Sequence, residues 1–150
     1  MKNYFLFLIA ATILYGCDTG GTDMDKEAQN VATAFAEAYF NYDFQEARKL
    51  VTADSEKWLR FAATNISQED VDILNAKTEA ATVEVNDISY VDDTTSTVSI
   101  TVNHFLLKDT LQRQGHIEDE AEYSLTIVRQ GRKHLVRMAC LPQNERRSHD

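Results

Sequence analysis

The chain has 150 residues, 43% of them hydrophobic and 26% charged, with a formal net charge of -9 at neutral pH. That length buries one core and no more, the composition is that of an ordinary globular protein, and the acidic balance argues against a nucleic-acid partner, which needs clustered Lys and Arg. The basic residues of the tail, "NERRSHD" (144–150), are interleaved with Glu145 and Asp150 and read as a solvated end.

The amino terminus has the layout of a secretory signal: a short positive start at Met1 to Asn3, an apolar run from Tyr4 to Leu14 broken only by Thr12, and small Gly16 before Cys17. The run is shorter than the roughly 20 residues a membrane-spanning helix requires. Leu14-Tyr15-Gly16-Cys17 resembles the lipobox of bacterial lipoproteins, in which the cysteine thiol receives diacylglycerol and becomes the first mature residue. Leu14, Gly16 and Cys17 fit that pattern, and Tyr15 is bulkier than the small residue usual there. The resemblance implies a signal peptide over residues 1–16, lipidation of Cys17, and a domain held at the bacterial cell envelope, in the periplasm or at the cell surface. "DTGGTDMDK" (18–26) is polar and glycine-bearing, a flexible tether with an r.m.s. reach of roughly 15 to 18 Å. With Cys17 acylated, Cys140 is left alone and is expected to be a small buried hydrophobe on its strand.

The domain is expected over 27–143. Apolar residues at Val31, Ala34, Phe35, Ala38 and Tyr42 predict a helix over Lys26 to Tyr42, with Phe40 on the opposite side seeking a partner on the next helix. Asp43 with Glu46 forms a capping pattern for a second, short helix. A third restarts after Thr52 or Asp54 and buries Trp58 and Leu59 with Phe61 or Ala62. Ser67, with Asp70 three residues on, caps a fourth that ends near Asn75. From Thr82 the period becomes two. Val83 and Val85, then Ile88 and Tyr90 on the other parity, predict a strand bulged near Asn86-Asp87. Val98, Ile100, Val102 and Leu106 share one face of the next strand, and Tyr123, Leu125 and Ile127 share one face of a third. "RQGR" is a turn into a last strand carrying Val136, Met138 and Cys140. Helices first and antiparallel strands second define an α+β domain, with N-terminal helices packed on a curved antiparallel sheet.

"FAEAYFNYDFQEARKLVTADSEKW" (Phe35 to Trp58) and "RQGRKHLVRM" (Arg129 to Met138) make this order resemble the nuclear transport factor 2-like fold, a cystatin-like roll shared by ketosteroid isomerases and many small bacterial lipoproteins. His134 stands where many such domains carry a tryptophan. The resemblance implies a cone-shaped cavity between the long helix and the concave sheet, the kind of site where small ligands bind.

Strand parity places His104, Tyr123 and His134 on core faces, Tyr39 borders the helix stripe, and Trp58 could close one end. These five are the candidate pocket lining. The same pattern equally fits rings buried with their polar tips reaching water or backbone. An isomerase or dehydratase would add an inward carboxylate as base and a tyrosine such as Tyr39 as donor. The acidic residues fall on outer faces, caps and loops, and Asp87 at the bulge is the sole one a bend could turn inward. His104, His116, His134 and His149 show no paired ligand spacing, so neither metal nor cofactor is expected, and no catalytic residue is assigned. The expected function is a non-catalytic ligand-binding or accessory module anchored to the membrane. The alternatives are a ketosteroid isomerase-like enzyme for a small apolar ligand and a module that dimerises through its exposed sheet.

Overall fold

The computed structural model describes residues 23–110 and 113–145. Cys17, the signal segment, most of the tether and the last five residues lie outside them. Helix α1 (Asp23–Phe40) leads to α2 (Phe44–Arg48), a 3-10 turn (Ala53–Ser55), α3 (Glu56–Thr64) and α4 (Gln68–Ala76). Strands β1 (Thr82–Asp92), β2 (Thr95–Leu107), β3 (His116–Gln130) and β4 (Lys133–Arg137) follow. The strands form one antiparallel meander in the order β1-β2-β3-β4. This is the expected α+β arrangement, with helices ahead of the sheet in sequence and packed on it in space.

The sheet's inner face is built by Val98, Ile100 and Val102 of β2, Ala121, Tyr123, Leu125 and Ile127 of β3, and Val136 of β4, all buried in one core with α1. Its outer face carries Glu84, Thr101 and Glu122 in one cross-strand row and Thr82, Asn103 and Glu120 in the next, so it is polar there, while Val128 and Leu135 share a row near the β3–β4 turn. β1 breaks register between Val85 and Asp87, where the switch in parity predicts a bulge.

α1 lies on the sheet through Ala28, Ala32, Phe35, Ala36 and Phe40. This stripe is rotated from the expected one: Ala34 is exposed and Val31 lies at the margin. Small alanines let the helix axis approach the strands closely, which a stripe of larger side chains would prevent. Phe40 finds its partners on the sheet rather than on the next helix, with ring centroids 4.7 Å from Tyr123 and 5.1 Å from Phe105.

α1 stops at Phe40 because Tyr42 turns into the left-handed region at φ 63°. Its N–H donates to Tyr39 O at 3.0 Å and that of Asp43 to Ala38 O at 2.8 Å, the paired bonds of a Schellman ending. Asp43 then caps α2 by accepting from Glu46 N at 3.1 Å, and Ser67 with Asp70 forms a complete capping box on α4.

The free edge of β4 is covered by the α2–α3 connection: Thr52 N donates to Val136 O at 3.0 Å and Val136 N to Leu50 O at 2.8 Å. Beyond Arg137 the chain leaves the sheet. Met138 is buried, held by its N–H on Ser55 Oγ at 2.8 Å. Cys140 is exposed and off the strand, contrary to the expected buried position, because β4 ends three residues earlier.

Candidate functional site

A cavity of about 300 Å³ opens between the end of α1, α2, the end of α3, the last residues of β2 and the segment after β4. Its apolar floor is Phe40, Phe44, Phe105 and Tyr123, with Tyr39 and Tyr42 beside them. Asn65, Lys108, Asp109, Thr110, Gln143 and Asn144 form a polar rim. The rings brace one another edge to face: Tyr39 meets Phe40 at 5.1 Å and Phe44 at 5.7 Å, and Tyr42 meets Phe44 at 5.6 Å. Aromatic pairs in this arrangement are stiff as well as apolar.

Burial pushes the Tyr39 phenol well above its usual range, reinforced by the hydroxyls of Tyr42 and Tyr123. Burial raises Tyr42 similarly, with the Asp70 carboxylate adding to it. Both remain neutral hydrogen-bond donors at any physiological pH. Tyr42 uses its hydroxyl to donate to Leu106 O at 3.1 Å. A tyrosine at positive φ costs on the order of 1 kcal/mol where glycine would sit freely, and such strain recurs at functional positions.

The rim is held by a carboxylate outside the cavity lining. Asp70, completely buried, accepts from Ser67 N at 2.9 Å and Gly115 N at 2.7 Å and forms an ion pair with the Lys108 ammonium. Burial alone would raise its pKa. The Gly115 amide, the Lys108 ammonium and the Ser67 groups outweigh that and hold it down at about 2. The α4 capping box therefore also fastens the end of β2 and the start of β3. Gly115 admits no side chain, since a Cβ there would stand 2.9 Å from both Leu106 Cδ1 and Leu107 O.

Of the five residues expected to line a pocket, Tyr39 and Tyr123 do so and the other three do not. His104 adopts φ 54°, and this turn hands the inward position to Phe105, which is fully buried. Simple alternation along β2 fails at that residue; the kink is tied by Lys77 Nζ donating to His104 O at 2.5 Å. His134 lies at the opposite end of the sheet, its Nδ1 2.8 Å from a Glu27 carboxylate oxygen. Trp58 packs at the margin of the core against Phe61, outside the cavity, with Lys57 over its ring. Asp87 is exposed on β1 and does not turn inward.

Sequence reasoning missed Phe40, Tyr42, Phe44 and Phe105 as lining, and Lys108 as rim. The one available signal was the dense aromatic run "YFNYDF", read as helix stripe and cap. Among the described residues, no three His, Cys, Asp or Glu side chains converge to hold a metal ion, and no helix is long and apolar enough to cross a membrane.

Fold and site together define the class: an α+β domain whose helices cover one face of a curved antiparallel meander, with an aromatic pocket at one end. Comparison with protein-family models gives no match, and neither does comparison with curated proteins. Among solved structures, the chain is similar to one described as "Ntf2 like protein involved in plasmid conjugation", with 14% sequence identity and a TM-score of 0.48, covering 81% of this chain and 48% of that one. The chain thus spans about half the length of that protein.

Proposed function

We propose that this protein is an acylated envelope lipoprotein whose domain binds one small, largely apolar ligand bearing a hydrogen-bond acceptor. The observation that carries the reading is the aromatic cavity of about 300 Å³ with the neutral Tyr39 phenol beside its floor. An apolar ring system replaces water against Phe40, Phe44 and Phe105, and an acceptor oxygen suits a phenol that cannot ionise. The polar rim leaves room for a hydrated end of the ligand.

The pocket supports binding better than catalysis. Its fully buried neighbouring carboxylate, Asp70, lies outside the lining, accepts from three donors and is held at a low pKa, which makes it a poor base. The anchor rests on the apolar leader, Cys17 and the polar tether. Acyl chains contribute about 0.8 kcal/mol per buried methylene, and two or more hold a soluble domain on a bilayer durably.

Titration with the uncharged fluorophore N-phenyl-1-naphthylamine tests the pocket. Wild type should bind one equivalent, and Ala62→Trp, which projects a ring into the cavity, should abolish binding with little change in melting temperature. Equal binding by both proteins refutes the pocket assignment.

A further inference from the structure

β3 outruns its neighbour. It spans His116–Gln130, yet β4 pairs with it only from Thr126 to Gln130. After Arg137 the chain leaves the sheet, passes Met138 and Pro142, and comes back to the same edge: Tyr123 and Asn144 form an antiparallel bridge, and Ser124 donates its hydroxyl to the Glu145 carboxylate. At Glu145 the chain therefore lies against β3 and runs antiparallel to it, toward His116. Among the described residues, no strand pairs with β3 on this side between His116 and Glu122. An open edge of that length invites another strand.

The edge is strongly acidic. Glu118, Asp119, Glu120 and Glu122 crowd their carboxylates into one short stretch, and the β2 residues opposite Glu120 and Glu122, Asn103 and Thr101, bring no cation. His116, 3.3 Å from Glu118, is the one basic side chain of this stretch. Even with Arg113 of the preceding hairpin and a protonated His116 counted on the positive side, the stretch stays net negative. The segment that follows Glu145 is Arg146-Arg147-Ser148-His149-Asp150, in which Asp150 is the sole acidic side chain. At roughly 3.4 Å per residue those residues reach roughly 17 Å when extended, enough to run along the edge as far as Ile117.

We infer that residues 146–150 extend the sheet as a further strand, antiparallel to β3 in the register of the Tyr123–Asn144 bridge. In that register Arg147 stands opposite Glu120 and diagonal to Glu118 and Glu122, and His149 stands opposite Glu118. Opposite charges facing across strands stabilise a sheet, and diagonal neighbours are within reach of a side chain as long as arginine. Glu145 falls opposite Glu122, a like pair, but its carboxylate is taken up by Ser124, two residues along the edge. A second copy pairing edge to edge would instead set one acidic stretch against another, which is destabilising. Leu141, Pro142, Gln143 and Asn144 line the cavity, so the added strand also clasps one cavity wall, whatever the cavity binds.

Amide hydrogen exchange, read by NMR on the full chain and on a variant ending at Glu145, tests this. Those amides of residues 117–122 that do not bond to β2, with those of Leu141, Gln143 and Asn144, should exchange roughly tenfold more slowly in the full chain. At full length, Arg147→Glu should remove that protection, and adding Glu120→Arg to it should restore it. Unchanged exchange over 98–102 shows that the variants remain folded. Equal exchange at 117–122 in the full chain and the shortened variant overturns the inference. Protection that survives the shortening and grows with protein concentration also overturns it, and assigns the edge to a second copy.

Discussion

Asp70 and Lys108 lie 38 residues apart and form an ion pair in which the carboxylate is completely buried. Removing one partner leaves the other charge uncompensated, so Asp70→Ala should destabilise the fold by about 3 kcal/mol or more. Lys108→Met should cost less, because two backbone amides still hold Asp70. Denaturant midpoints check both.

The same carboxylate sets an acid limit. Its pKa in the folded protein is about 2, below the ordinary 3.8, so its contribution is full above about pH 5 and is lost as pH falls through the unfolded value toward the folded one. Lys108→Met raises the folded pKa toward the unfolded value, so the variant starts less stable and loses less as pH falls. Melting temperatures measured between pH 2 and 6 should show wild type and variant furthest apart at about pH 5 to 6 and converging as pH falls toward 2.

Gly115→Ala should destabilise by about 1 to 3 kcal/mol. The added carbon meets Leu107 O, a backbone atom that cannot rotate away. Denaturant unfolding gives the cost, and weakened probe binding would show that the strain reaches the rim at Leu106 and Lys108.

The Schellman ending of α1 yields opposite effects from two substitutions. Tyr42→Phe keeps the strained φ and removes the bond to Leu106 O, and should destabilise by about 1 kcal/mol. Tyr42→Gly relieves the strain but removes a wall of the cavity. It should lose probe affinity by a larger factor than its change in stability accounts for, as thermal melts and probe titration on the same samples would show.

Much of the fold is legible in residue order, and its failures are local. Ser67 with Asp70, Asp43 with Glu46 and the parity change around Asn86 each encode a cap or a bulge in neighbouring residues, and each is found. His104 is different: nothing in "VNHFLL" announces a positive φ, and the strand alternates until the residue that breaks it. The α1 stripe differs from the expected one because alanine weighs little in a hydrophobic pattern yet permits the closest helix approach. Asp70 reads from sequence as a cap alone, since its other partners, Lys108 and Gly115, come from across the fold.

The most direct test of ligand binding in the aromatic cavity is an amide chemical-shift map recorded as N-phenyl-1-naphthylamine is added. Shifts confined to Tyr39–Phe44, Phe105–Thr110, Tyr123 and Leu141–Asn144 are the predicted result. Shifts that spare these segments, or saturation with no perturbation at Tyr39 and Tyr123, would contradict it.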